Sequence, residues 1–205
     1  MSPGTVDEPD MRSASHLGQR TRVGRLAIAA GLVATVLLAT VVMAIGIGPA
    51  GADPPEFVGA PPTVGDFNPV TMNGTGQLTS ATITPFVIGD DSGALAGWHV
   101  TLLIPDLQNG TGVDCSTGAT ASIAGANISM DAPLVSAADG LTSLTGVTAT
   151  GFTDFTTPRT IVGAAAGAGA GTYDVTPGIL RLVVPTNTLA GAYCSEATIA
   201  ITTGP

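Results

Sequence analysis

From about residue 70 onward, apolar and polar residues alternate along the chain with a period of two. In residues 98–104 the even-numbered positions are tryptophan, valine, leucine and isoleucine, whereas histidine and threonine occupy odd-numbered ones. The same alternation recurs in residues 179–184, where Arg181 falls on the polar side, and in residues 193–202. Because successive side chains of a β-strand point to opposite faces of a sheet, this pattern predicts three strands with one buried face each.

Weaker strand patterns lie between these segments, and turn-forming residues separate them. They cover residues 77–87, 119–130, 144–150 and 172–176. After Ala52, no window of 11 residues shows the 3.6-residue apolar stripe of an amphipathic helix. We therefore predict that residues 70–205 form an all-β domain, an antiparallel β-sandwich of seven to nine short strands.

The N-terminal part of the chain has a different pattern, a long run without charge. It extends from Leu26 to Ala52, and four of the six arginines of the chain precede it. Its apolar part, residues 26–48, is followed by small residues that suit a signal peptidase, so we predict an export signal over residues 1–52 with cleavage before Asp53. Since about 20 residues suffice to span a bilayer, an uncleaved transmembrane helix is the alternative. Both hypotheses place residues 53–205 outside the cell and limit membrane contact to residues 26–48.

Two segments of biased composition interrupt the strand patterns. Residues 53–69 are rich in proline and lack a sustained apolar period, which is typical of a linker or of an extended edge segment. Residues 163–171 contain only glycine and alanine. They have too much glycine for a helix and too little bulk for a core strand, so we expect a mobile loop between strands there.

The only two cysteines, Cys115 and Cys194, both lie in the part of the chain that is predicted to be exported. Outside the reducing cytoplasm such a pair can form a disulfide. The bond would close a loop of about 80 residues, which is worth on the order of 4.5 kcal/mol in lost chain entropy. Two separately buried thiols are the alternative.

Charge and chemistry narrow the range of functions. The chain has a formal charge of −9, and residues 53–205 carry 12 acidic side chains against two arginines, a charge of −10. This balance argues against nucleic acid as a partner. Those residues contain a single histidine, His99, and no spacing of His and Cys that suits a metal site. We therefore expect a protein that is not an enzyme and needs no cofactor or metal, with a secreted hydrolase using two carboxylates as a minor alternative.

The few aromatic residues suggest where a core and a contact surface lie. We expect Trp98 and Tyr193 to anchor their strands in the core. Phe152, Asp154 and Phe155 belong to a turn-like stretch, which makes them candidates for an exposed binding surface. The alternative is that the two phenylalanines close one end of the sandwich.

Several short runs resemble WxL-domain proteins, which are exported β-rich surface proteins of Gram-positive bacteria. The runs are Gly97-Trp98-His99-Val100-Thr101-Leu102, Tyr173-Asp174-Val175-Thr176-Pro177, Val184-Pro185, Ala190-Gly191-Ala192-Tyr193 and Ala197-Thr198-Ile199-Ala200-Ile201. The likeness covers roughly residues 70–205. Valine stands where the first family motif has leucine, and the second tryptophan motif is missing. The absence of lysine, with abundant Ala, Gly and Thr, indicates a GC-rich genome and hence an actinobacterial relative.

This resemblance implies a cell-surface protein that attaches to the cell wall without a covalent bond. The expected partner is then a cell-wall polymer or another surface protein. The alternative is a secreted assembly or adhesion subunit, in which residues 53–69 or an edge strand add to the sheet of a neighbouring molecule.

Overall fold

The computed structural model describes residues 38–43, 53–112 and 115–204. These residues form one short 3-10 helix at Gly125–Asn127 and fourteen strands. The strands, in chain order, are β1 (Leu38–Met43), β2 (Glu56–Val58), β3 (Gln77–Ala81), β4 (Phe86–Asp90), β5 (Trp98–Leu103), β6 (Leu107–Gln108), β7 (Ser122–Ile123), β8 (Ile128–Met130), β9 (Leu134–Ala137), β10 (Val147–Ala149), β11 (Arg159–Ala164), β12 (Gly171–Thr176), β13 (Leu180–Val184) and β14 (Glu196–Thr203). The predicted all-β class is confirmed.

The strands assemble into four sheets. The largest has the order β1-β14-β5-β11-β10, and the second has the order β2-β4-β12-β9. A three-stranded sheet, β3-β13-β8, and the pair β6-β7 complete the described part. All strand pairs are antiparallel except β1 with β14. Several antiparallel sheets around one core are consistent with the predicted sandwich.

The core follows from the alternation in the sequence. In β5 every second residue is buried, beginning with Trp98, and β14 shows the same alternation from Ala197 onward. The largest fully buried side chains are Trp98, Tyr173, Tyr193, Phe67 and Phe155. Burial of a large apolar side chain stabilises a fold by roughly 1.5–3 kcal/mol, so these residues contribute strongly to the packing energy.

Strand boundaries differ from the prediction where turns or irregular pairing intervene. The predicted strand 77–87 divides into β3 and β4, and the predicted strand 119–130 divides into β7, the 3-10 helix and β8. The sequence pattern missed β11. Its register with β5 shifts between Thr160 and Val162, and residues 161–164 are all buried, so a β-bulge replaces the alternation.

The proline-rich segment 53–69 belongs to the domain rather than leading into it. Its residues 56–58 form the outer strand β2 beside β4, and Phe57, Val64 and Phe67 are buried in the core. Of the two predicted possibilities, the structure shows the extended edge segment.

Of the predicted export signal, the structure describes only residues 38–43, which form β1. The remainder of residues 1–52 lies outside the described residues, so the signal and its cleavage stay predictions. Among the described residues, no helix has the length and hydropathy that a bilayer crossing requires.

The predicted disulfide between Cys115 and Cys194 is confirmed, with the two Cα atoms 5.5 Å apart and a sequence separation of 79. Backbone hydrogen bonds in both directions connect Cys194 to Gln108, with N···O distances of 2.8 and 2.9 Å. The bond therefore ties the loop around Cys115 to the chain that enters β14.

Candidate binding groove

Trp98, the first residue of β5, connects the core to a loop on the surface. Its indole is fully buried, and Nε1 donates a hydrogen bond to the carbonyl oxygen of Gly169 at 2.9 Å. A Cβ at Gly169 would lie 2.6 Å from Nε1, and φ there is +90°, so only glycine fits this close approach. The tryptophan therefore fixes the position of the loop that follows β11.

Tyr173, in β12, holds a second loop. Its ring packs against Trp98 with the centroids 5.5 Å apart. The hydroxyl group lies 3.1 Å from the carbonyl oxygen of Ser143 and 3.0 Å from that of Ala170. Burial raises the pKa of this phenol, and the nearby carboxylates of Asp90 and Asp139 raise it further, so the hydroxyl stays protonated as a donor.

The glycine-alanine segment is shorter as a loop than predicted, because its ends belong to β11 and β12. Backbone hydrogen bonds fix the connection: Ala165 N donates to Gly146 O at 3.0 Å, and Gly167 N donates to Leu95 O at 2.7 Å. Two of its amides are thus engaged with neighbouring segments, while the expected mobility of the loop stays a prediction.

Two adjoining cavities lie between these loops. One, of about 420 Å³, extends over the outer side of the large sheet along His99, Thr148 and Thr160. The other, of about 370 Å³, lies between residues 143–146 and residues 165–170. Gly146 and Ala165 line both cavities, which therefore adjoin each other, and we name the two cavities together the small-residue groove.

The small-residue groove has more apolar than polar surface, and the described residues that line it carry no charge. Its lining offers hydroxyl groups from Ser143, Thr145, Thr148 and Thr160, while glycine and alanine supply most of the remaining surface. Among the residues that the structure describes, no Asp, Glu, Lys or Arg lines either cavity. Small side chains leave backbone groups within reach of a ligand, so the groove suits an extended molecule rich in hydroxyl or amide groups.

His99 stands at one end of the groove but is occupied by hydrogen bonds. Its Nδ1 lies 2.7 Å from the carbonyl oxygen of Gly204, and its Nε2 lies 2.8 Å from Oγ1 of Thr202. The neutral tautomer with the proton on Nδ1 satisfies both, since Nε2 then accepts from the threonine hydroxyl. The imidazole, predicted to be an exposed strand histidine, is half-buried and fastens the end of β14 to β5.

The predicted contact surface at residues 152–155 does not form as expected. Phe155 is fully buried, and Phe152 is half-buried, packs on the core and exchanges backbone hydrogen bonds with Met130. Asp154 is partly exposed and pairs with Arg159 at 3.2 Å, and the same arginine lies over the Phe152 ring. The exposed position expected for Phe155 is therefore wrong. The rings of Phe152 and Phe155 pack edge to face with their centroids 6.1 Å apart.

The expected core anchors have the positions predicted for them. Trp98 and Tyr193 are both fully buried. The Tyr193 hydroxyl donates to the carbonyl oxygen of Leu189 at 3.1 Å, and both residues are remote in sequence from the groove.

No group of three or more His, Cys, Asp or Glu side chains that could hold a metal occurs in the described part of the chain.

Comparison of the chain with models of known families, with curated proteins and with solved structures finds no significant match. What the groove binds must therefore be inferred from its own chemistry. The described residues of the groove give it a largely apolar lining with several hydroxyl groups and no charge, in a domain that is otherwise strongly acidic.

Proposed function

We propose that residues 53–205 are an exported, non-enzymatic β-sandwich module of the cell envelope that binds a cell-wall polymer in the small-residue groove. The observation that carries the proposal is the uncharged groove itself. Export and the resemblance to WxL-domain surface proteins are part of the same proposal, because they indicate that the protein meets the polymer at the cell surface.

The charge distribution supports an uncharged contact. With 12 acidic side chains and two arginines, residues 53–205 repel a polyanion at long range. An uncharged stretch of glycan or peptide avoids that repulsion, and its hydroxyl and amide groups match the threonine and serine hydroxyls of the groove. Binding would therefore depend on hydrogen bonds and close packing, with little contribution from ion pairs.

The geometry also supports binding over catalysis. Both ring nitrogens of His99 already lie within hydrogen-bonding distance of protein groups, Gly204 and Thr202, which argues against a role as a general base. The short loops are held by Trp98 and Tyr173, which keeps the groove in shape before a ligand arrives. A preformed groove lowers the entropic cost of binding.

The proposal is tested by incubating the exported protein with purified Gram-positive cell walls and measuring the fraction that sediments. We expect retention that changes little between low and high salt and survives a metal chelator, because none of the described residues that line the groove is charged. Absence of retention at every salt concentration would contradict wall binding. Retention that disappears with the chelator would show that bridging cations, rather than the groove, hold the protein.

A further inference from the structure

Without β1, the side of β14 that faces away from β5 would be the longest sheet edge in the described part of the chain. β14 has eight residues, whereas the outermost strands of the other sheets, and β10 at the far side of its own sheet, have two to five. It contains no proline or lysine, and Glu196 at its start is its one charged residue. Proteins usually protect a long edge strand with such residues or by covering it, because its free backbone groups pair readily with another chain.

In this structure the edge is covered by β1. Residues Leu38–Met43 run parallel to β14, in a register that places Leu38 opposite Glu196 and Met43 opposite Ile201. The covering strand has the sequence Leu-Ala-Thr-Val-Val-Met, which is uncharged and contains three β-branched residues. Such residues favour extended strands.

The covering strand belongs to the segment that export is predicted to remove. Cleavage before Asp53 would separate residues 38–43 from the domain and expose the whole β14 edge. The other neighbour of β14, the antiparallel β5, would remain in place. The exported domain would thus carry a preformed edge to which a parallel strand can be added.

We propose that the β14 edge is a strand-acceptor site in the exported protein. Its occupant is an extended segment of a partner surface protein, uncharged and rich in Val, Ile, Thr and Ala, running parallel to β14 as β1 does. Recognition comes from the backbone ladder, with the side chains of the added strand selecting the sequence. This inference rests on the export part of the proposed function but not on polymer binding in the groove.

The first test uses a synthetic peptide that contains residues 38–43 between uncharged, soluble flanks, added to the exported protein. We expect saturable binding and slower hydrogen exchange of the β14 amides. The matched control is the same peptide with Val41→Pro. Proline has no backbone N–H to donate, so this peptide should bind at least tenfold more weakly. The unprocessed full chain, solubilised in detergent with β1 in place, should not bind the peptide.

Three results would overturn the acceptor site. They are equal binding of the proline peptide, no protection of the β14 amides, and a concentration-dependent dimer that covers β14 with a second copy and excludes the peptide. Mass spectrometry of the exported protein gives a separate check. If residues 38–43 remain attached, the edge is filled within the same chain and the acceptor site is excluded. Wall sedimentation, which does not need a free β14 edge, would still test the groove independently.

Discussion

Trp98 and Tyr173 connect the interior of the protein to its surface. The ring of each residue is buried, and its polar group forms a hydrogen bond to a loop that lines the small-residue groove. An aromatic side chain with a polar tip suits this double role, because the ring fills the core while the tip satisfies a backbone carbonyl. Changes at these tips are therefore expected to alter the groove more than the fold.

The paired variants Tyr173→Phe and Tyr193→Phe test this role. Each removes one hydroxyl that contacts a backbone carbonyl, at Ser143 and Ala170 in the first case and at Leu189 in the second. We expect both to lower the free energy of unfolding by about 1 kcal/mol in denaturant titrations. Only Tyr173→Phe should reduce wall sedimentation, by several-fold. An equal effect of the two variants on sedimentation would remove the link between Tyr173 and the groove.

Acid stability follows from carboxylates whose pKa values differ between the folded and unfolded chain. Backbone hydrogen bonds from Thr142 and Leu141 lower the pKa of Asp139, and those from Thr156 lower the pKa of Asp154. A lowered pKa in the folded state means that this stabilisation is complete above the ordinary value of 3.8 and is lost as the pH falls through the folded-state pKa.

We therefore expect the melting temperature to fall below about pH 4. The variant Asp139→Asn keeps an oxygen acceptor for the same amides but cannot titrate, so its melting temperature should fall less over that range. Thermal unfolding between pH 2 and pH 6 measures the difference. A melting temperature of the parent protein that rises on acidification would contradict the assignment.

At the scale of elements, the sequence predicts strands well where one face is buried and the other is half-exposed. β5, β13 and β14 satisfy that condition, and each was predicted within a few residues. β9 was missed because its most exposed residue is Leu134, which breaks the expected pattern of polar residues facing outward. In a regular strand, alternation of apolar and polar residues in the sequence predicts which side chains are buried. At bulges and in short outer strands this prediction fails, because side chains no longer alternate between a buried and an exposed face.

The candidate groove was harder to predict because its parts are distant in sequence. The loop at residues 143–146, the loop at residues 165–170 and His99 meet only through the pairing of β5, β10 and β11. The glycine-alanine segment was singled out by composition, but its hydrogen bond to Trp98 spans 71 residues. Phe152 and Phe155 were expected on the surface because their segment is turn-like, whereas burial of their rings decides their position.

The disulfide is the covalent connection between distant elements. It joins the loop at Cys115 to the residue that precedes the strand β14 by two positions, Cys194. The double variant Cys115→Ser/Cys194→Ser should lower the free energy of unfolding by roughly 2–5 kcal/mol, measured by denaturant titration under oxidising conditions. Adding a reductant should destabilise the parent protein but leave the variant unchanged. A variant as stable as the oxidised parent would show that the bond contributes no net stability.

At the scale of the whole molecule, the small-residue groove and the β14 edge are two distinct candidate binding surfaces. The acidic side chains give residues 53–205 a charge of −10, while the small-residue groove is uncharged. The β14 edge lies on the same sheet as the β10 and β11 strands that line the groove, at the opposite end of the strand order. One sheet can therefore offer a polymer site on its face and a strand site at its edge.

The most direct test of the central claim fills the groove and leaves the fold intact. Ala165 is exposed and lines both cavities, so Ala165→Trp should occupy their junction, whereas the exposed Ala132 lies outside the groove and provides the control Ala132→Trp. Both variants should unfold at the same denaturant concentration as the parent protein. We expect Ala165→Trp to reduce sedimentation with purified cell walls at least fivefold and Ala132→Trp to leave it unchanged. Equal retention of the two variants would contradict binding in the groove.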